Sequence, residues 1–548
     1  MIHFPEIFRA ILSSRDLPES DHEKFLNPKY EDLHDPLLLP DMEKARDRVI
    51  QAMRDNERVT IFSDYDADGI PGAAVLSDFF RRANYDNVAF YIPHRHDEGF
   101  GLNKIAMEEC AKDGTNLLIT VDCGITDLEE IALAKSLGMD VIVTDHHLPS
   151  PEGLSDALAI VDPKRKDNKY PFTELCGAAL AYKLVQAILA EDRFGIKEGM
   201  EKWSLDLVGI ATLSDMVPLV GENRIFAKFG LDVLQKTFRP GLVALFTKLR
   251  LDQKNLTEDD VVFMITPRIN AASRMGVPKD AFDLLATDSR AEAEKLAEHL
   301  EHINNERKGV VASLVKDAKK HLKQREKIGE VIVIGNPEWK PSLLGLVANS
   351  LVEEYMRPAF VWGRDGDGAL KGSCRSYNGY NLHDLMQSAE NAFVQFGGHA
   401  GAGGFTVTLE QLTVLEDRLS EALEKLEGEE KKQEDTIPVS INELRNELWD
   451  VVSTFAPFGM GNPKPVFKIN SELKDVRTFG KEKNHLEITI TDGKKDVKCI
   501  SFFSTPETYN LSIPGIDTKS RVILGHLEKS YFRNSPEIRL RIVDIIEQ

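Results

Sequence analysis

IFSDYDADGIPG, from Ile61 to Gly72, decides how the rest of this chain is read. An apolar run with the pattern of a buried strand breaks there into three alternating acids, Asp64, Asp66 and Asp68. Carboxylates so close together repel one another, and holding them at a strand end costs free energy unless hydrogen-bond donors or cations neutralise them. The stretch therefore predicts a divalent-metal site.

The neighbouring sequence supplies the rest of such a site. Met42 to Asn56 is helix-like and leads into the strand Val59 to Ser63; Ala73 to Arg82 has helical periodicity, with Val75, Leu76, Phe79 and Phe80 as its apolar members. A strand at Val88 to Ile92 and a helix at Lys104 to Lys112 follow. The apolar strand Asn116 to Val121 ends in Asp122, Cys123 and Gly124. After a helix at Asp127 to Leu137, the strand Asp140 to Thr144 ends in Asp145, His146 and His147. Short apolar strands alternating with amphipathic helices make an α/β fold, a parallel sheet covered on both faces. In such sheets ligands collect outside the carboxyl ends of the strands, which is where all three polar clusters fall. A fourth strand end is expected where the apolar run LDLVGIATL stops at Ser214 and Asp215. Carboxylates and imidazoles without a thiolate suit Mn2+ or Mg2+ rather than zinc.

Each cluster alone has a plainer reading. Asp127 or Asp145 could be a helix N-cap, and two adjacent histidines are usually a hydrogen-bonding pair. An EF-hand loop needs a later Glu and a preceding helix, and neither is present. Four clusters at successive strand ends outweigh these single explanations.

The chain's 548 residues suffice for roughly three to four domains. A net charge of -21 argues against a broad basic surface for duplex DNA, while leaving room for a local basic groove. Five scattered cysteines fit neither a disulfide framework nor a zinc ribbon, and are expected as buried thiols. No apolar stretch has the length of a membrane span, and MIHFPEIFRAILSSRD lacks the features of a secretory leader, so the expectation is a cytoplasmic protein.

DYDADG (64–69), VDCG (121–124), TDHH (144–147) and LSDMVPL (213–219) resemble, in order, the four motifs of the DHH phosphoesterase superfamily. FLNPKYEDLHDP (25–36), PRINAASRMG (267–276), GSCRS (372–376), QFGGHAGAGGF (395–405) and PFGMGNPKPVF (457–467) extend the resemblance to its bacterial single-strand-specific 5′ exonucleases. The resemblance implies that Asp64, Asp66, Asp68, Asp122, His146 and Asp215 ligate two metal ions, with Asp122 as bridge and His147 beside them. Two such ions, about 3.5 to 4 Å apart, activate a water and stabilise the leaving oxygen. It also implies that Ser373, Arg375, Ser376 and His399, with Arg268 and Asn270, hold the substrate backbone.

The domains expected on this basis are an N-terminal arm wrapped on the next domain (1–45), a DHH catalytic domain (46–285) and a connecting helix (286–328) of about 60 Å. A DHHA1-like phosphate-gripping lobe (329–426), a linker (427–465) and an OB-like β-barrel (466–548) complete the chain. In the barrel Lys481, Lys483, His485, Lys529, Tyr531, Phe532 and Arg533 are the expected single-strand contacts. Four positions depart from the family pattern: Ser63, Ser273, Lys340 and Ser342. The implied activity is metal-dependent 5′ to 3′ degradation of single-stranded DNA to mononucleotides, in repair and recombination. A monomer is expected, with a helicase and a single-stranded-DNA-binding protein as partners. Two other readings are a DHH phosphodiesterase for short oligonucleotides or cyclic dinucleotides, and a non-catalytic DNA-binding scaffold. The C-terminal barrel weighs against the first, and the intact acids against the second.

Overall fold

Val59–Ser63 forms β1 because a five-residue run rich in β-branched and aromatic side chains can be buried on both faces of a sheet, and all five residues are buried. Four more strands join it: β2 (Val88–Tyr91), β3 (Leu117–Val121), β4 (Asp140–Thr144) and β5 (Ala159–Val161). All pairings are parallel, in the order β2-β1-β3-β4-β5. The helix Gly69–Arg82 packs closely on the helix Gly177–Glu191. Phe62, Leu118, Val141 and Val143 of the sheet share a core with Met107 and Ile131 of two further helices. The computed structural model describes residues 4–15, 17–366, 368–398, 400–426, 436–480, 483–509, 511, 520–530 and 536–547.

The run before Asp215 is a correction to the sequence reading. Leu205–Ser214 is an α-helix, buried from Leu205 to Leu213, and Asp215 is its C-terminal cap residue rather than a strand end. A short run that is apolar on every side has no period by which a buried helix can be told from a buried strand.

The connecting helix spans Arg290–Lys323, 34 residues and about 50 Å, shorter at both ends than expected. Ser289 stops it at the front by accepting the Glu292 amide at 3.3 Å. Its first half buries Ala297, Leu300 and Ile303, and its second half carries Ala318 and Leu322 into the core of the second lobe. That lobe holds a mixed sheet of β6 (Ile332–Gly335), β7 (Ala359–Arg364), β8 (Leu370–Arg375), β9 (Gln395–Gly398) and β10 (Ala402–Val407). The strand order is β6-β7-β8-β10-β9.

These parts form one compact unit, residues 34–215 and 229–432; residues 1–33, 216–228 and 433–548 form a second. In the second unit β11 (Thr436–Pro438), β12 (Val466–Phe479), β13 (His485–Thr491), β14 (Asp496–Ser501), β15 (Ser520–Ser530) and β16 (Glu537–Glu547) close into a barrel through the β12–β15 pairing. Two boundaries move as a result. The first 33 residues, expected to wrap the catalytic domain, lay Ile7, Ile11 and Phe25 into the barrel-side core with Phe455, Phe467 and Leu486. An amphipathic segment specifies that it needs an apolar partner without specifying which one. The expected linker is structured from residue 436 onward, with Leu448 and Val452 of the helix Asn446–Ser453 in the same core. All five cysteines are buried and free. No helix among the described residues is long and apolar enough to cross a membrane.

Candidate active site

The register of the first sheet builds the site. Ser63 pairs with Val121, Val121 with Thr144, and Thr144 with Val161. The next residue on each strand continues the ladder: Asp64 donates its amide to Val121 O at 3.1 Å, Asp122 to Thr144 O at 3.0 Å, and Asp145 to Val161 O at 3.2 Å. Asp64, Asp122, Asp145 and Asp162 thus stand in one row just past the strand ends. Asp162 had escaped the sequence reading because it precedes a proline in a charged loop and carries no histidine beside it.

Seven of the expected residues converge here. Ligand atoms of Asp64, Asp66 and Asp122 lie within 4.8 Å of one another, as do those of Asp68, His146 and Asp215, and those of Asp122, His146 and His147. His146 Nε2 is 3.1 Å from Asp122 Oδ1, 3.6 Å from Asp68 Oδ2 and 3.7 Å from Asp215 Oδ2. Asp122 joins the first triad to His146, which is the geometry a bridging ligand requires. Asp64 Oδ1 and Asp122 Oδ1 are buried without a hydrogen-bond partner among the described residues. His146 Nε2 lies 3.1 Å from the latter, without forming a hydrogen bond to it. Buried carboxylate oxygens left in this state fit hard divalent cations.

The electrostatics agree. Burial, and then the neighbouring carboxylates, push Asp64 and Asp122 well above the ordinary carboxyl range, Asp68 to about 7 and Asp215 to about 8. Asp145 behaves oppositely: burial raises it, but the hydrogen bond and charge of His147 outweigh burial and hold it below the usual value. Its Oδ1 lies 2.8 Å from His147 Nδ1, while its Oδ2 accepts the Ile125 amide at 2.9 Å. His147 is lowered by burial but raised more by Asp145 and the other acids, to about 9, and so is an imidazolium at neutral pH.

Local backbone fixes these side chains. Asp66 Oδ1 accepts the amides of Asp68 and Gly69 at 2.7 and 3.2 Å. Asp68 is held by the first turn of the helix Gly177–Glu191, taking the Gly177 and Ala178 amides at 2.6 and 2.8 Å. A Cβ on Gly177 would sit 2.5 Å from Asp122 Cβ. The CGA at 176–178 was overlooked in the sequence because small residues at a helix start have many ordinary explanations.

The anion-binding residues are sorted less well by sequence. Arg375 of the second lobe and Arg274 of the first lie close enough for Arg274, already lowered to about 9 chiefly by burial, to feel Arg375, Arg95 and Arg307 as well as Asp66. Arg95 stacks over the Tyr65 ring at 5.0 Å, and His96 Nε2 lies 3.0 Å from Arg274 O. Arg274 Nη1 donates to Ser342 O at 2.8 Å, and Ser342 Oγ returns a bond to Arg274 O at 3.2 Å. The Ser342 departure thus joins the two lobes beside this cluster, and Lys340, also close to His96, is the exposed N-cap of the helix Pro341–Tyr355 that carries Ser342. Arg95, Arg274 and Arg307 were not anticipated, although Arg274 lay within a quoted motif.

Others are occupied elsewhere. Arg268 is buried and paired with Glu301 of the connecting helix at 2.8 Å, and Asn270 Oδ1 receives the Ala67 amide at 3.0 Å, bracing the acidic loop. Ser376 Oγ bonds the Tyr380 carbonyl, while Ser373 stands half-buried on β8 opposite Val361. Ser63 and Ser273 bond neighbouring carbonyls, Asp64 O at 2.6 Å and Asn270 O at 3.1 Å. His399, Lys481, Tyr531, Phe532 and Arg533 lie outside the described residues. On the barrel, His485 centres an aromatic group with Phe479, Phe502 and Phe503 at 5.2, 5.5 and 5.0 Å. Lys529 sits on β15 opposite Ile538, and Lys483 in the turn before β13.

Comparison with known proteins places this geometry. Three domain families match in chain order: the DHH family N-terminal domain over residues 58–212, the DHHA1 domain over 328–429 and the RecJ OB domain over 436–544. The single-stranded-DNA-specific exonuclease RecJ of Bacillus subtilis (strain 168) is 35% identical over 550 residues, covering 99% of this chain and 68% of that protein. The RecJ of Haemophilus influenzae is 30% identical, covering 96% and 93%. The crystal structure of RecJ in complex with Mn2+ from Thermus thermophilus aligns with a TM-score of 0.79 and 26% identity, over 100% of this chain and 78% of that one. With likeness spread across all three domains and nearly the whole length, the chain belongs to the RecJ family.

Proposed function

We propose that the protein is a metal-dependent exonuclease that degrades single-stranded DNA from its 5′ end to mononucleotides. The observation that carries this reading is the pair of ligand triads joined through Asp122, bordered by the arginine cluster of Arg95, Arg274, Arg307 and Arg375. Asp64, Asp66 and Asp122 would hold one divalent ion, and Asp68, His146 and Asp215, with Asp122 shared, a second. The ions supply an activated water and neutralise charge on the leaving oxygen.

The chain's own groups do the remaining work. Asp145 fixes the ring of His147 through Nδ1, which leaves Nε2 as the ring nitrogen for a non-bridging phosphate oxygen. The arginines can take a second phosphate one nucleotide away, and the terminal phosphate of a strand is the dianion best suited to them. Cutting between these two positions releases a mononucleotide. Single-strand preference follows the named activity of the relatives, the 5′ polarity rests on the motif resemblance alone, and the barrel supplies a second platform that a dinucleotide hydrolase has no use for. We extend the reading to a monomer acting in the cytoplasm with a helicase and a single-stranded-DNA-binding protein; five buried free thiols suit a reducing compartment.

The test is to incubate the parent and Asp122→Ala with Mn2+ and 5′- or 3′-labelled single strands, duplex and dinucleotides. Single strands shortened from the 5′ end by the parent alone are expected. Turnover of dinucleotides only, or binding without turnover, would replace this reading with a small-substrate phosphodiesterase or a scaffold.

A further inference from the structure

Asp145 gives its two oxygens to different partners: Oδ1 lies 2.8 Å from His147 Nδ1, and Oδ2 accepts the Ile125 amide, from the turn after β3, at 2.9 Å. That turn runs on to Asp127, the residue before the helix Leu128–Ser136, and Asp127 reaches the loop that follows β2. Its Oδ2 accepts the Leu102 amide at 2.7 Å and lies 2.6 Å from where a Cβ on Gly101 would stand. The loop after β2 then returns to β4, because the Phe100 ring meets the His147 ring at 5.6 Å, edge-to-face at 74°. Contacts among the loops after β2, β3 and β4 thus form a closed circuit, and His147 is where it closes.

The loop after β2 is braced on both sides of Phe100. Glu98 accepts the Tyr91 hydroxyl and the His94 amide, and Tyr91 stacks on Phe62 of β1 at 5.2 Å. Leu102 is buried in the core that contains Phe62. Between these anchors Gly99 and Gly101 adopt φ +84 and +81, which side chains with a Cβ rarely take. Phe100 itself is 52% exposed, so the hydrophobic effect gains little from stiffening a loop around it. What the ring does contact is His147. The hydrogen bond to Asp145 pins one corner of that imidazole and leaves its plane free to swing. The ring neighbours that limit the swing are His146 at 4.7 Å, from the same turn, and Phe100, from a different strand end.

We infer that Phe100 is a positioning residue for His147: packed edge-to-face on the imidazole, it fixes the direction of Nε2 toward the phosphate. An aromatic pair has a preferred geometry, and a reacting group held in one orientation spares the transition state the cost of finding it. The inference rests on the exonuclease reading above, and deepens it by adding a residue that carries no ligand atom.

The maximal single-turnover rate and the half-saturating strand concentration are measured at saturating Mn2+ for the parent, Phe100→Ala, Phe100→Leu and Phe100→Tyr. Two substrates are used, a native single strand and one whose two 5′-terminal nucleotides lack their bases. Phe100→Ala and Phe100→Leu are expected to lose about tenfold in rate, by the same factor on both strands, with half-saturation and bound Mn2+ unchanged. Phe100→Tyr keeps the ring and should recover most of the rate. In a His147→Ala background, Phe100→Ala should cost nothing further. A loss that appears in half-saturation instead, or vanishes on the strand without bases, would make Phe100 a surface for the substrate's bases. A loss that comes with missing Mn2+, or is repeated in full without His147, would make it a prop for the loop. Either result overturns this inference and leaves the exonuclease reading standing. If the parent leaves native single strands intact, the exonuclease reading falls and takes this one with it.

Discussion

At the scale of single residues, the site is defined as much by what cannot be added as by its ligands. Gly177→Ala drives a methyl into Asp122, and we expect Mn2+ affinity to fall by at least about tenfold while the melting temperature drops by only a few degrees, read by titration and by thermal unfolding of the metal-free protein. The acids carry a pH signature of their own. Asp68 and Asp215 have folded values of about 7 and about 8 against an ordinary 3.8, so their contribution to stability is present below 3.8 and lost as pH rises through those values. The metal-free protein should thus melt at lower temperature as pH climbs over that window, and Mn2+ should abolish the slope while releasing protons to the buffer. A flat metal-free profile would contradict the crowding of these carboxylates. Residue roles were the least legible part of the sequence. Arg268 and Arg274 share one motif and one helix, but they point to different faces; the first meets Glu301 and the second the cleft.

At the scale of elements, strands were read best, because a fully buried strand leaves an unbroken apolar run and stops at a polar residue. The helix Leu205–Ser214 was misread for the same reason, being apolar all round. In the barrel, the alternation of buried and exposed residues along β13 makes the strand plain but says nothing of the turn after β14, where Phe503 is 82% exposed with φ +55. Its amide donates to His485 Nδ1 at 3.0 Å, and Arg541 lies over the adjacent Phe502 ring at 5.6 Å. An aromatic held out in a left-handed backbone conformation invites a stacked base. Phe503→Ala should weaken oligonucleotide binding by about 1–3 kcal/mol in fluorescence titrations, with Mn2+ content unchanged. The same unit is pinned by Arg224, whose guanidinium lies 3.7 Å over the Phe25 ring and donates to the carbonyls of Phe25, Phe455, Ala456 and Pro457. Arg224→Met removes the side-chain donor to the Phe25 and Ala456 carbonyls, while Asn462 Nδ2 still donates to those of Phe455 and Pro457, and should cost about 1–3 kcal/mol in urea unfolding.

At the scale of the whole molecule, the order of domains was legible because motifs survive in sequence order, whereas the two compact units are not contiguous in the chain. Residues 1–33 and 216–228 join the barrel although the catalytic sheet lies between them in sequence. Pairings of that range leave no local pattern. The net charge of -21 is likewise a sum that conceals its distribution: four arginines gather close to the acids.

The aspartates past β1, β3, β4 and β5 hang on successive rungs of one ladder, which turns the sheet into a gauge. The backbone spacing between Asp64 and Asp122 is inherited from the strand spacing, about 4.8 Å. The same gauge makes strand length critical: a residue deleted from β3 would carry Asp122 off its rung and dismantle both halves of the centre at once.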